Sequence, residues 1–275
     1  MDRTVVVITG ASSGIGAVFA RKLAPEHDLI LIARRRDRLE KAADTLSKKY
    51  GSHIEVIEAD LSSEADLDRA AERVRAEPRL VLLINNAGFG TKGRFWEAPL
   101  ESQERMHRLH VMAVVRLTHA ALANMTQRNV GGVINVASVS AFIRSAGAVS
   151  YSATKNWMTA FTEGLYIELA AAGSAVAVQA LCPGFTYSEF HDTLAVDRGR
   201  LAGAGFWMTA EQVVEESLEG LRQRKPFVIP GWRYRVMTAI ITKLPIRLRL
   251  AVEARATRAR QKALGTQTGN AISSR

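Results

Sequence analysis

The stretch YSATK, Tyr151 to Lys155, sets a phenol and an amine four residues apart. On a helix that is one turn, so both side chains share a face. A nearby ammonium favours a phenolate and moves a group with an ordinary pKa near ~10 toward working pH. Such a phenol can give or take a proton at a substrate oxygen. An isolated Y-x-x-x-K is more often a plain surface pair, so its surroundings decide. Ser138 stands thirteen residues before Tyr151, at the end of the apolar run GVINVA (132–137). Its hydroxyl could hydrogen-bond a carbonyl and stabilise charge developing there.

A second constellation lies near the start. TGASSGIG (9–16) supplies Gly10, Ser12, Ser13, Gly14, Ile15 and Gly16 directly after the apolar run TVVVI. A glycine turn between a strand and a helix lets backbone approach a pyrophosphate, and the helix N-terminus offers free N–H groups. The plainer reading is a tight turn; its place in the first strand–helix unit favours the nucleotide. The next strand ends LILIARRRDRL. Ala33 stands where an acid would accept bonds from an adenosine ribose, and Arg34, Arg35 and Arg36 follow. Arginine pairs bidentately with phosphate, so Arg34 first, then Arg35, is expected to read a 2′-phosphate and favour NADPH. The alternative is a solvated charge cluster opening a helix.

These groups need a frame. Apolar, β-branched runs recur at 4–8, 29–32, 54–57, 81–84, 132–137, 176–181 and 227–229, separated by helix-like stretches rich in Ala, Glu, Arg and Leu. Alternation of strand and helix predicts right-handed βαβ units and a parallel sheet. Continuous apolar strands predict a sheet covered on both faces. The predicted fold is therefore α/β, a doubly wound, Rossmann-like sheet of about seven strands. One catalytic domain is expected over 1–231, with a basic helical extension over 232–275 whose polar end frays.

With the ordered motifs TGASSGIG, ADLS (59–62), NNAG (85–88), Ser138, YSATK and CPG (182–184), the chain resembles the short-chain dehydrogenase/reductase family over about residues 4–231. The resemblance implies that Tyr151 handles the proton at the substrate oxygen, while Lys155 lowers its pKa and binds the nicotinamide ribose. Ser138 completes the set. Asp60 and Leu61 would flank the adenine, and Asn86, Ala87 and Gly88 would run along the cofactor. Pro183, Gly184 and Thr186 would line the nicotinamide, with Ser188 where the family often has threonine. One departure stands out: in RLHV, His110 replaces an asparagine that helps hold a water linking the lysine to solvent. Histidine donates, accepts and titrates near neutral pH, so it could keep the relay, alter its pH dependence or only pack; retained function is the preferred expectation.

The segment 185–208 is where such enzymes place their substrate loop. Phe185, Tyr187, Phe190, Phe206 and Trp207, and more weakly Phe142, Phe95 and Trp96, are candidates for an apolar wall. Each could equally close a core or a subunit contact. The expected reaction is NADPH-dependent interconversion of a bulky apolar ketone or aldehyde and its alcohol. An NAD-linked alcohol dehydrogenase and a non-catalytic nucleotide-binding regulator are the alternatives.

Composition bounds the rest. One cysteine, Cys182, excludes an intrachain disulfide and is read as packed rather than nucleophilic. No metal site is expected, because no histidines have ligand spacing. The net charge of +10 is concentrated in 232–262, which holds nine Lys/Arg and one Glu, and no nucleic-acid motif accompanies it. The apolar positions of 232–244 have mostly helical spacing beside Arg233, Arg235 and Lys243, with Trp232 and Tyr234 at the start and Pro245 as a breaker. Folding of that face over the pocket or onto another subunit is preferred; peripheral contact with an anionic membrane is the second reading. A cytoplasmic homo-oligomer, dimer or tetramer, without a secretory leader or transmembrane span is expected.

Overall fold

Val5–Thr9 is buried throughout and forms an interior strand, β1. Val6 and Ile8 join one core cluster, while Val5 and Val7 join another on the opposite face. A strand buried from both sides requires helices above and below its sheet. The computed structural model describes residues 3–91, 93–144, 146–187 and 204–263. Its main sheet adds β2 (Asp28–Ala33), β3 (Ile54–Glu58), β4 (Leu80–Asn85), β5 (Gly132–Val136), β6 (Ala177–Leu181) and, last in the chain, β9 (Phe227–Val228). The order is β3-β2-β1-β4-β5-β6-β9, parallel throughout. All seven expected strands are present. A separate pair, β7 (Thr186–Tyr187) with β8 (Met208–Thr209), was not anticipated, since two-residue strands carry no periodic signal.

Parallel neighbours need crossovers, and helices supply them. One face carries α1 (Gly14–Leu23), α2 (Arg36–Tyr50) and α7 (Ala210–Arg222), which contribute Phe19, Leu39 and Val213 to the first cluster. The other carries α3 (Glu64–Arg75), α5 (Ala113–Arg128) and α6 (Val149–Ala171), which contribute Leu67, Leu117 and Leu169 to the second. Between α4 (Leu100–His107) and α5 the chain widens into a π-helical turn, Arg108–Met112. The strand order reverses between β1 and β4, and in such sheets ligands bind at that point, beyond the strands' carboxyl ends.

After β9 the chain forms α8 (Trp232–Lys243) and α9 (Ile246–Ala263). The break falls at Leu244, held extended (ψ 139°), as the residue before a proline must be. Tyr234 and Thr238 of α8 are buried, whereas Trp232, Val236 and Ile240 are exposed. Tyr234 is therefore not the surface aromatic anchor its sequence position suggested.

Candidate active site

β1 delivers the glycine turn and β4 delivers NNAG beside it. The Thr9 hydroxyl accepts the N–H groups of Asn86 (2.9 Å) and Ala87 (3.0 Å), and Asn86 Nδ2 donates back to the Thr9 carbonyl at 2.9 Å. Gly10 holds φ at 66° and Gly14 at 56°, a conformation that favours glycine. A Cβ on Gly16 would fall 2.4 Å from the Gly10 carbonyl, so α1 approaches the turn as only a glycine permits. The first turn of α1 has no acid, and its N-cap Ser13 makes no capping bond. The helix start thus offers N–H groups and a positive dipole end, which suits a pyrophosphate.

The turn, the end of β2, Asp60 and Leu61, Asn86 to Gly88, Ser138, Tyr151, Lys155 and Pro183 to Thr186 line one cleft of about 470 Å³. At its far end Arg35 Nη2 bonds the hydroxyls of Ser12 (3.0 Å) and Ser13 (2.8 Å). Arg34 is exposed at the rim. Arg36 turns away to Glu40 at 2.6 Å. Burial raises the Asp60 carboxyl, but hydrogen bonds from Ser62 and the charges of Arg34 and Arg105 outweigh it and leave the pKa lowered. Arg105 lies 3.4 Å from Asp60 and lines the cleft, as do Phe89, Leu109 and Ala148. Sequence reading missed these four: Arg105 and Leu109 reach the cleft from the α4 segment, where no motif singles them out, and Phe89 and Ala148 flank motifs without belonging to them.

Tyr151 and Lys155 share a face of α6, as their spacing requires. Ser138 and Tyr151 are hydrogen-bonded. The Ser140 N–H donates to Ser138 Oγ at 3.1 Å. Lys155 Nζ donates to the Val136 carbonyl at 2.7 Å and stands 5.7 Å from the centre of the Tyr151 ring. Tyr151 is partly exposed to the cleft, but its hydroxyl is deeply set. Burial pushes that phenol up to about 12, against the pull of the Ser138 bond. This corrects the expected lowering: removal from water is the dominant influence on the phenol. Burial draws Lys155 down to about 8.

His110 sits in the π-helical turn and is wholly buried. Its Nδ1 lies 2.9 Å from Thr154 Oγ1, and its Nε2 accepts the Phe89 N–H at 3.2 Å. Burial, then the charges of Lys155 and His107, holds it well below its ordinary value. The expectation that it titrates near neutral pH is thereby corrected.

The aromatic candidates separate. Phe185 lines the cleft, whereas Tyr187, half-exposed, and Trp207 do not; Trp207 instead packs against both, 5.3 Å from Phe185 and 5.0 Å from Tyr187, centre to centre. Phe142 packs instead against the buried cluster of Val114, Ala137 and Met158. Phe206 packs on Tyr234 and lines an outer groove of α8. Phe95 and Trp96 are exposed. Ser188 and Phe190 lie outside the described residues. Cys182 is fully buried at the end of β6, and burial raises its thiol to about 12, which suits packing. Among the described residues no three His, Cys, Asp or Glu side chains gather as metal ligands would.

The short chain dehydrogenase family model matches residues 4–198. A Dictyostelium discoideum protein, dehydrogenase/reductase SDR family protein 7-like, is 32% identical over 231 residues, 80% of this chain and 71% of that one. A Sphingobium yanoikuyae short-chain dehydrogenase in complex with NADPH is 31% identical, with a TM-score of 0.77 over 98% of this chain and 99% of its own. A Comamonas testosteroni alcohol dehydrogenase described as bulky-bulky ketone specific is 28% identical, with a TM-score of 0.74 over 100% and 98%. With its nucleotide cleft and matching motifs, this chain belongs to the short-chain dehydrogenase family and is an NAD(P)-dependent oxidoreductase.

Proposed function

We propose that the protein interconverts a bulky apolar ketone or aldehyde and its alcohol with NADPH, through Ser138, Tyr151 and Lys155. The observation that carries this reading is the meeting of these three at the carboxyl end of β5, in one cleft with the glycine turn. The catalytic unit is residues 1–231, with α8 and α9 as a basic extension.

When bound, the nicotinamide supplies the hydride to the carbonyl carbon or takes it back. Ser138 donates a hydrogen bond to the substrate oxygen, where negative charge gathers. Tyr151 gives its proton to that oxygen, and the phenolate left behind is stabilised by Lys155. A phenol raised to about 12 is protonated at neutral pH, the form a reduction requires. The α1 N-terminus and Gly10 to Gly16 hold the pyrophosphate, Asp60 and Leu61 flank the adenine, and Arg34 and Arg35 take the 2′-phosphate. Ala33, where an acid would repel that phosphate, supports NADPH, as does the NADPH complex of the Sphingobium relative. Phe185, which lines the cleft with Trp207 packed against its ring, supports an apolar substrate. Purified protein mixed with NADPH or NADH and a panel of carbonyls tests this by loss of nicotinamide absorbance. Faster turnover of bulky apolar ketones with NADPH is expected; no turnover of any carbonyl would leave the regulatory reading.

A second reading concerns α8. Trp232 (64% exposed), Val236 (50%) and Ile240 (58%) form an outward apolar stripe at four-residue spacing. Arg233, Arg235 and Lys243 lie beside it, in a segment with eight net positive charges over 232–262. That combination fits an anionic membrane surface better than closure over the cleft, which none of the three lines. Co-sedimentation with anionic vesicles, weakened by salt and by the double variant Trp232→Ser, Ile240→Ser, is the test. Protein that stays in the supernatant and elutes as a dimer would assign the stripe to a second copy.

A further inference from the structure

Tyr234, on the inner face of α8, is 3% exposed. Its phenol oxygen accepts the Phe185 N–H at 2.9 Å and donates to the Phe206 carbonyl at 2.6 Å. One hydroxyl thus uses both its capacities to join the two chain segments flanking residues 188–203. Around this tie the chain is paired. The Met208 N–H donates to the Phe185 carbonyl at 2.9 Å, and β7 aligns with β8 so that Thr186 faces Met208. The ring's seat depends on Gly184, where a Cβ would fall 2.0 Å from Tyr234 Cζ. The helix carrying the tie is itself held, because Glu216 accepts both the Gly231 N–H (3.1 Å) and Arg235 Nη1 (3.0 Å).

Both backbone groups of Phe185 are therefore committed, its N–H to Tyr234 and its carbonyl to Met208. Its side chain lines the cleft beside Pro183, whose carbonyl lies 3.4 Å from Ser138 Oγ. We propose that Tyr234 is a positioning residue: by holding Phe185 and Phe206 together it fixes the Phe185 side chain, with Trp207 packed on it, in the cleft wall relative to Tyr151, and so sets the preference for bulky apolar carbonyls. This rests on the carbonyl reading above. Tyr234 does not touch the reacting atoms in this role.

Tyr234→Phe keeps the ring and removes only the hydroxyl, leaving the Phe185 N–H and the Phe206 carbonyl without it. Amide hydrogen exchange in peptides covering 184–187 and 204–209 is expected to quicken by about tenfold, with β1 and β4 peptides unchanged. In the same variant kcat/KM for a bulky aryl ketone is expected to fall about tenfold, mainly through KM, and for a small aliphatic ketone by less than about threefold. Unchanged exchange would overturn the tie. Equal losses for large and small ketones would overturn the positioning role. A wild type inert on every carbonyl would sink the carbonyl reading and the specificity role with it, while the exchange result still judges the tie. Gly184→Ala pushes the ring aside from the other direction and must reproduce the exchange pattern; a folded Gly184→Ala protein with normal exchange would count against the proposal.

Discussion

His110 Nδ1 lies 2.9 Å from Thr154 Oγ1, and that contact assigns the histidine its proton. Because Nε2 accepts the Phe89 N–H, it must carry a lone pair, so the proton is on Nδ1 and is donated to Thr154. The Thr154 hydroxyl in turn donates to the Tyr151 carbonyl at 2.9 Å. His110 thus ties the cleft wall at Phe89 to the first turn of the helix bearing Tyr151 and Lys155, and it does so in the neutral state.

A pH consequence follows from that neutrality. Folded His110 takes up a proton less readily than the unfolded chain, where the ordinary value is 6.5. As pH falls below 6.5 the unfolded state binds more protons and stability is lost, by up to about 1.4 kcal/mol per pH unit until the folded pKa is reached. Urea midpoints between pH 7 and pH 5 should therefore drop more steeply in the wild type than in His110→Asn. Activity of His110→Asn should survive with no change in its pH profile between 6 and 8, while His110→Ala should lose both stability and rate. Parallel stability slopes in wild type and His110→Asn would show that His110 takes up its proton as readily in the folded as in the unfolded chain.

Tyr151→Phe removes the phenol proposed to handle the proton and leaves the ring. Turnover should fall by at least about a thousandfold, while the Kd for NADPH stays within about threefold. Stopped-flow turnover beside a fluorescence titration of NADPH separates the two; near-normal turnover would rule out the assigned chemistry.

Lys155, drawn down to about 8, sets the alkaline side of reduction. Its ammonium is present below about 8 and lost above, so kcat for reduction should stay level to that pH and then decline. Oxidation, in which Tyr151 accepts a proton, should gain as pH rises. Lys155→Arg should move the decline upward because arginine keeps its charge. A decline left in place by that variant would assign it to another group.

Arg34 and Arg35 are expected to share the 2′-phosphate. Each alanine variant should weaken NADPH by about 1.5–3 kcal/mol, roughly 10- to 100-fold, and change NADH by less than about threefold. Arg35, set against Ser12 and Ser13, should show the larger loss. Isothermal titration with both nucleotides decides it; equal losses for NADPH and NADH would mean that neither arginine reads the phosphate.

Some of this was legible before any coordinates. The apolar, β-branched runs announced all seven strands of the sheet, most plainly the interior ones such as β1 and β4, whose burial on both faces keeps them largely apolar. The glycine turn and the Tyr151–Lys155 spacing were readable because each depends on a few adjacent residues and on one backbone geometry. Other features depend on which distant segments meet. Arg105 reaches Asp60 from α4, Phe142 goes to a buried cluster, and Tyr234 crosses from the tail to Gly184 and Phe185. The charge states of Tyr151, Lys155 and His110 likewise follow from how completely other elements exclude water from them. A residue's type sets what it can do locally; its depth and its neighbours from remote parts of the chain exist only once the chain has folded.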